Sequence, residues 1–118
     1  MVLVVDDDSD ARGTLVSSLS NAGYRCLATD NVETASWYLR RVAPDVTVVE
    51  VGDDRERLRF ATFLANQPAA GAVVLMRALH TASSWPRRFA SPVLHACDPR
   101  DVVAAVAAAR RAQPEAAC

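Results

Sequence analysis

The chain is predicted to be an α/β protein built on a doubly wound parallel sheet of five strands. Three observations lead there. Short Val-rich runs are continuously apolar and bounded by polar residues, which is the habit of strands buried on both faces. Segments with helical apolar spacing separate these runs. Strand and helix alternate over all 118 residues, a length that closes one core and is too short for two.

Taken in chain order, the strands are expected at residues 2–5, 25–29, 46–51, 72–76 and, more weakly, 92–94. The run at 46–51 is interrupted by Thr47 and Glu50, and the run at 25–29 is the least apolar. Between the first two, Ser9 can cap a helix whose inward residues are Ala11, Leu15 and Ala22, with Gly23 ending it at a positive φ. A second helix begins at Asn31 and carries Val32, Ala35, Leu39 and Val42 on one stripe. It stops before Pro44, because the residue preceding a proline is driven out of the helical region. A third, over 55–66, draws its apolar content from Leu58, Phe60, Phe63 and Leu64. A short fourth helix is placed at 81–89, where Pro86 is tolerated only in a first turn. The last helix has Asp98 as cap, Pro99 at the first helical position and Asp101 at the third, with Val102, Val103 and Val106 inward. The Ala-rich stretch after Val103 reads as helix propensity, or as small residues that admit a partner helix. Residues 1–112 form the expected domain, and 113–118 are a tail or the start of a linker.

Composition narrows the function. Hydrophobic residues make up 51% of the chain and charged residues 23%, with a formal net charge of −1. That balance excludes a disordered chain and argues against direct binding of nucleic acid, which needs a basic surface. All 13 cationic residues are Arg, and Lys does not occur. Three cysteines, Cys26, Cys97 and Cys118, form no CxxC pair and have no His at ligand spacing, so reduced thiols in a cytoplasm are expected rather than disulfides or zinc. The apolar start runs into Asp6, Asp7 and Asp8 too soon for a signal peptide or a membrane span.

In an open α/β sheet the functional crevice lies at the carboxyl ends of the strands where the strand order reverses. For the order 2-1-3-4-5 that crevice falls between the first and third strands, which deliver Asp6, Asp7, Asp8 and Glu50. No cation is obvious among their sequence neighbours, so the repulsion calls for a metal, an Arg or a shared proton. The plainer reading leaves Asp8 or Ser9 as a helix cap and the other carboxylates solvated.

The segments 2–10 (VLVVDDDSD), 44–51 (PDVTVVEV) and 95–101 (HACDPRD) resemble, in order and at similar spacing, the signature segments of the bacterial response-regulator receiver family, across essentially the whole chain. The resemblance implies a flavodoxin-like (βα)5 fold with order 2-1-3-4-5 and a place in two-component signal transduction or a phosphorelay. In that family an acidic pair holds magnesium, and Asp6 and Asp7 match it. The phosphoacceptor position is Glu50, with Asp53 and Asp54 as fallback acceptors more in keeping with capping or solvated residues. The switch hydroxyl falls on Met76 or Arg77, the aromatic on Pro92 and the phosphate-contacting Lys on His95, which no shift of register can restore in a chain without Lys. Asp6, Asp7 and Glu50 can still hold magnesium, although no cofactor is required.

The resemblance with these departures implies a pseudo-receiver that is no enzyme and acts through a protein partner, a kinase, an output domain or another regulator. A magnesium-dependent receiver phosphorylated at an unconventional residue is the alternative. A small enzyme on the same scaffold is disfavoured by the absence of a Gly-rich phosphate loop or a nucleophile–base pair. Arg77 either grips Glu50 or Asp7 with its rigid fork or snorkels to solvent. His95 either titrates beside carboxylates near neutral pH or is held in a loop hydrogen bond. Trp37, beside Arg40 and Arg41, and Trp85 are the candidate partner surface, with packing under a neighbouring helix the alternative for Trp37. Homodimerisation through the face made by the fourth helix, fifth strand and last helix is expected from the same resemblance.

Overall fold

The computed structural model describes residues 1–51, 55–66, 71–76, 93–96 and 99–112. Five parallel strands, β1 (Val2–Val5), β2 (Cys26–Thr29), β3 (Val46–Glu50), β4 (Ala72–Met76) and β5 (Val93–Ala96), form one sheet in the order β2-β1-β3-β4-β5. The four described helices are α1 (Ser9–Asn21), α2 (Val32–Arg41), α3 (Arg55–Ala65) and α4 (Pro99–Ala112). The helix expected at 81–89, and with it Trp85, lies outside the described residues. So do Asp53, Asp54, Arg77, Pro92, Asp98 and the 113–118 tail.

Alternation along the strands divides the core in two. Val2 and Val4 of β1, Val46 and Val48 of β3, and Ala72 and Val74 of β4 pack with Leu15 and Leu19 of α1 and with Val102, Val106 and Ala109 of α4. On the other face Leu3, Val5, Val49, Val51 and Val73 meet Ala35 of α2 and Phe60, Ala61 and Leu64 of α3. Burial of both faces explains why β1 reads as uninterrupted hydrophobicity rather than as alternation. Thr47, fully buried in β3, is the polar exception within that strand.

The sequence-based outline needs local corrections. Asp8, not Ser9, caps α1: its Oδ1 accepts from the backbone N–H of Asp10 at 3.0 Å and of Ala11 at 3.2 Å. Ala22 is exposed at the C-cap, and the inward residue on that turn is Leu19, one helical turn from Leu15. Gly23 does take φ of +96°, as the end of α1 requires. Phe63 stays 53% exposed: the buried stripe runs through Phe60, Ala61 and Leu64, and Phe63 falls beyond its outer edge. The fifth strand is displaced from 92–94 to Val93–Ala96.

Candidate functional site

The site is assembled at the carboxyl ends of β1 and β3. The parallel register pairs Val5 with Val49 and Glu50 with Met76, so Asp6, the residue after β1, stands level with Glu50. Asp6 continues the ladder to β2, its N–H donating to the Thr29 carbonyl at 3.1 Å. Its carboxylate is only 1% exposed, and its Oδ1 accepts from the Asp8 N–H at 3.0 Å. Burial of an acid at this depth is tolerable only with such hydrogen bonding.

The three consecutive aspartates therefore divide their work. Asp6 turns into the fold, Asp7 is exposed, and Asp8 satisfies the first N–H groups of α1. Capping also aims the positive end of the α1 dipole toward the acidic turn. Asp6, Asp7 and Glu50 each offer a carboxylate oxygen within 4.8 Å of the others.

That spacing fits a divalent cation. Octahedral magnesium at about 2.1 Å brings neighbouring donors to about 3 Å and opposite donors to about 4.2 Å of each other. The 4.8 Å limit lies just above the larger of those separations. Three oxygens leave room for the waters magnesium usually retains.

A cation does belong to the site, and sequence reasoning passed over it. Arg12, on the second turn of α1, donates from Nη1 to the Asp6 carbonyl oxygen at 2.9 Å. The reading that no cation is obvious among the sequence neighbours is thereby corrected: α1 returns Arg12 to the backbone carbonyl of a residue six positions earlier. The available signal was an Arg four residues after a helix-capping Asp, a spacing that faces the capped turn.

Of the other sequence candidates, Met76 ends β4 in register with Glu50 on one side and with Ala96 on the other. His95 pairs with Leu75, one position short of the level of Glu50. Trp37 lies away from this site on α2. It is 50% exposed, stands edge-on to Tyr38 with ring centroids 5.5 Å apart, and carries the Arg41 guanidinium 4.7 Å from its ring centroid.

No family model matches the sequence, and no curated protein matches it significantly. Solved structures do. The receiver domain of NtrX from Brucella abortus is similar with a TM-score of 0.78, at 20% identity over 96% of this chain and 100% of that one. The chemotaxis response regulator CheY4 of Vibrio cholerae gives 0.71 at 15% identity over 92% and 96%. A de novo designed Rossmann 2x3 fold protein gives 0.62 at 16% identity over 90% and 85%. These likenesses establish the flavodoxin-like fold, and response-regulator receiver domains are prominent among its structural neighbours. Fold likeness by itself assigns no function.

Proposed function

We propose that this chain is a receiver-like signalling module of two-component type that acts by protein–protein interaction independently of phosphorylation, with Glu50 at the phosphoacceptor position. The observation that carries the proposal is the meeting of Asp6, Asp7 and Glu50 at the strand ends where the sheet order reverses. A Glu at the last position of β3 reaches one methylene farther than an Asp, toward the space a phosphoryl group would occupy. In-line phosphoryl transfer tolerates little displacement of the nucleophile. The chain also has no Lys to neutralise a phosphate, and Met76, level with Glu50, has no hydroxyl to donate to one.

On this reading the module is non-enzymatic, works in the cytoplasm and holds one conformation, which a kinase, an output domain or another regulator reads. Among the described residues no helix is long and apolar enough to cross a membrane, which agrees with that placement. Its protein contact is assigned to Trp37, exposed under Arg41, a pairing of the two residue types that most often dominate binding energy.

One observation favours a second reading. The three donor oxygens within 4.8 Å suit magnesium, as a phosphorylatable receiver would require. Incubation with acetyl phosphate and magnesium, followed by intact-mass measurement, separates the two. An unmodified mass supports the phosphorylation-independent module, and a labile phosphate adduct overturns it in favour of the second.

A further inference from the structure

The chain's charges are sorted by end of the sheet. α2 delivers the chain to the start of β3, so Arg40 and Arg41 in its last turn lie at the amino edge of the strands. Arg25 immediately precedes β2 at the same edge. α4 ends there too, since the Arg110 guanidinium stands 5.7 Å from the ring centroid of Tyr24, just ahead of β2, with Arg111 following. All five arginines are exposed. Among the described residues none of them meets a carboxylate, and Asp45, the acid described at this edge, is held by the Met1 α-amino group at 2.6 Å.

The opposite edge has the opposite sign over the same half of the sheet. The turn from β1 into α1 exposes Asp7, Asp8 and Asp10, and the turn from β2 into α2 exposes Asp30 and Glu33. Arg55 and Arg100 open α3 and α4 at that edge, toward the β4 and β5 half. Compensation of helix dipoles accounts for arginines in last turns and acids in first turns. It does not account for Arg25, which lies on no helix, nor for Trp37, left half exposed one turn before Arg41.

We propose that the arginine-bearing amino edge, with Trp37 as its aromatic anchor, docks on the acidic carboxyl edge of a second copy of this chain. The two patches lie above and below the same β2–β1 half, so a copy translated along the strand direction brings one onto the other. This contact is head-to-tail and unlike on its two sides, and it extends into chains rather than closing into a symmetric pair. It shares Asp7 with the acidic cluster and Trp37 and Arg41 with the partner contact proposed above, but it rests on the placement of charge and not on the signalling reading. Charged contacts of this type set orientation and depend strongly on salt.

Sedimentation velocity of the intact chain over a range of concentrations tests it. The expected result is a weight-average mass that rises with concentration at low ionic strength and returns to the monomer at about 1 M salt, where screening acts within about 3 Å. Arg40→Gln with Arg41→Gln, and separately Asp10→Asn with Glu33→Gln, each weaken self-association by about tenfold or more, circular dichroism confirming that both variants fold. Mixed, the two variants form a one-to-one pair that grows no further, because only one intact basic edge and one intact acidic edge remain. A parent chain that stays monomeric at low salt overturns the proposal. So does self-association that either variant leaves untouched, or an Arg40- and Arg41-dependent retention on a polyanion column by a chain that does not self-associate, since the occupant is then another anionic macromolecule.

Discussion

Replacing Glu50 by Gln probes the acidic cluster through thermal stability and separates charge from shape, since the two side chains are nearly isosteric. Two unit charges at the 4.8 Å limit of the cluster repel by about 3.5 kcal/mol at an effective dielectric constant of about 20. Glu50 is only partly buried, and solvent reduces its share to about 1 kcal/mol. For 118 residues the unfolding entropy near the midpoint is about 0.25 kcal/mol/K, so relief of that repulsion by itself raises the melting point of the Gln variant in EDTA by about 4 °C. Magnesium reverses the comparison. At about ten times its dissociation constant a ligand that binds only the native state adds about 1.4 kcal/mol, or about 6 °C, to the parent. The variant, deprived of one of three carboxylate donors, gains less than half of that. Differential scanning calorimetry with EDTA and along a magnesium series measures both effects. A Gln variant that melts below the parent in EDTA and gains as much from magnesium would refute the placement of Glu50 in a repelling, metal-competent cluster.

Arg12→Ala removes a charged donor from the Asp6 carbonyl and should lower stability by about 1–2 kcal/mol in urea unfolding, with Arg12→Lys recovering part of the loss. Gly71 has φ of +66°, and a β-carbon there would collide with the Asp45 carbonyl and come within 2.6 Å of the Pro44 oxygen. Gly71→Ala should therefore cost about 2 kcal/mol or more, whereas Gly13→Ala, in open space within α1, should raise stability by about 0.5–1 kcal/mol in the same assay. Burial pushes the Cys26 thiol pKa up, against a lowering hydrogen bond with Ser20. The native state then holds that proton more tightly than the unfolded chain. Its contribution is complete below the ordinary thiol range and declines as pH rises through the raised native value. With Cys97 and Cys118 replaced by Ser, alkylation of the native protein should show Cys26 reacting only at a pH above that of a free thiol.

Much of this fold is legible in one sequence, for an identifiable reason. β1 and β4 were bounded correctly because strands buried on both faces must be apolar at every position, a signal that survives without tertiary context. α2 was legible from Asn31, whose Oδ1 accepts from the Thr34 N–H at 2.7 Å, and from Pro44 beyond its end. The α1 errors have a common origin. Nine of its 13 residues are Ser, Asp, Asn, Gly, Arg or Thr, and with an apolar stripe that thin, Leu15 and Leu19 outweigh Ala11 and Ala22 only once the β1 face they pack on is specified.

The acidic site divides along the same line. The sequence by itself determined that Asp6, Asp7 and Glu50 follow or end their strands, and that no Lys can join them, because those are statements about order and composition. Only the tertiary structure decided which aspartate is buried, which one caps α1, and that Arg12 returns to the Asp6 carbonyl. Those outcomes depend on how closely α1 settles on the sheet and on which lone pairs the first turn of the helix claims. Both are set by packing between segments distant in sequence, so a local spacing can suggest such a contact but cannot fix it.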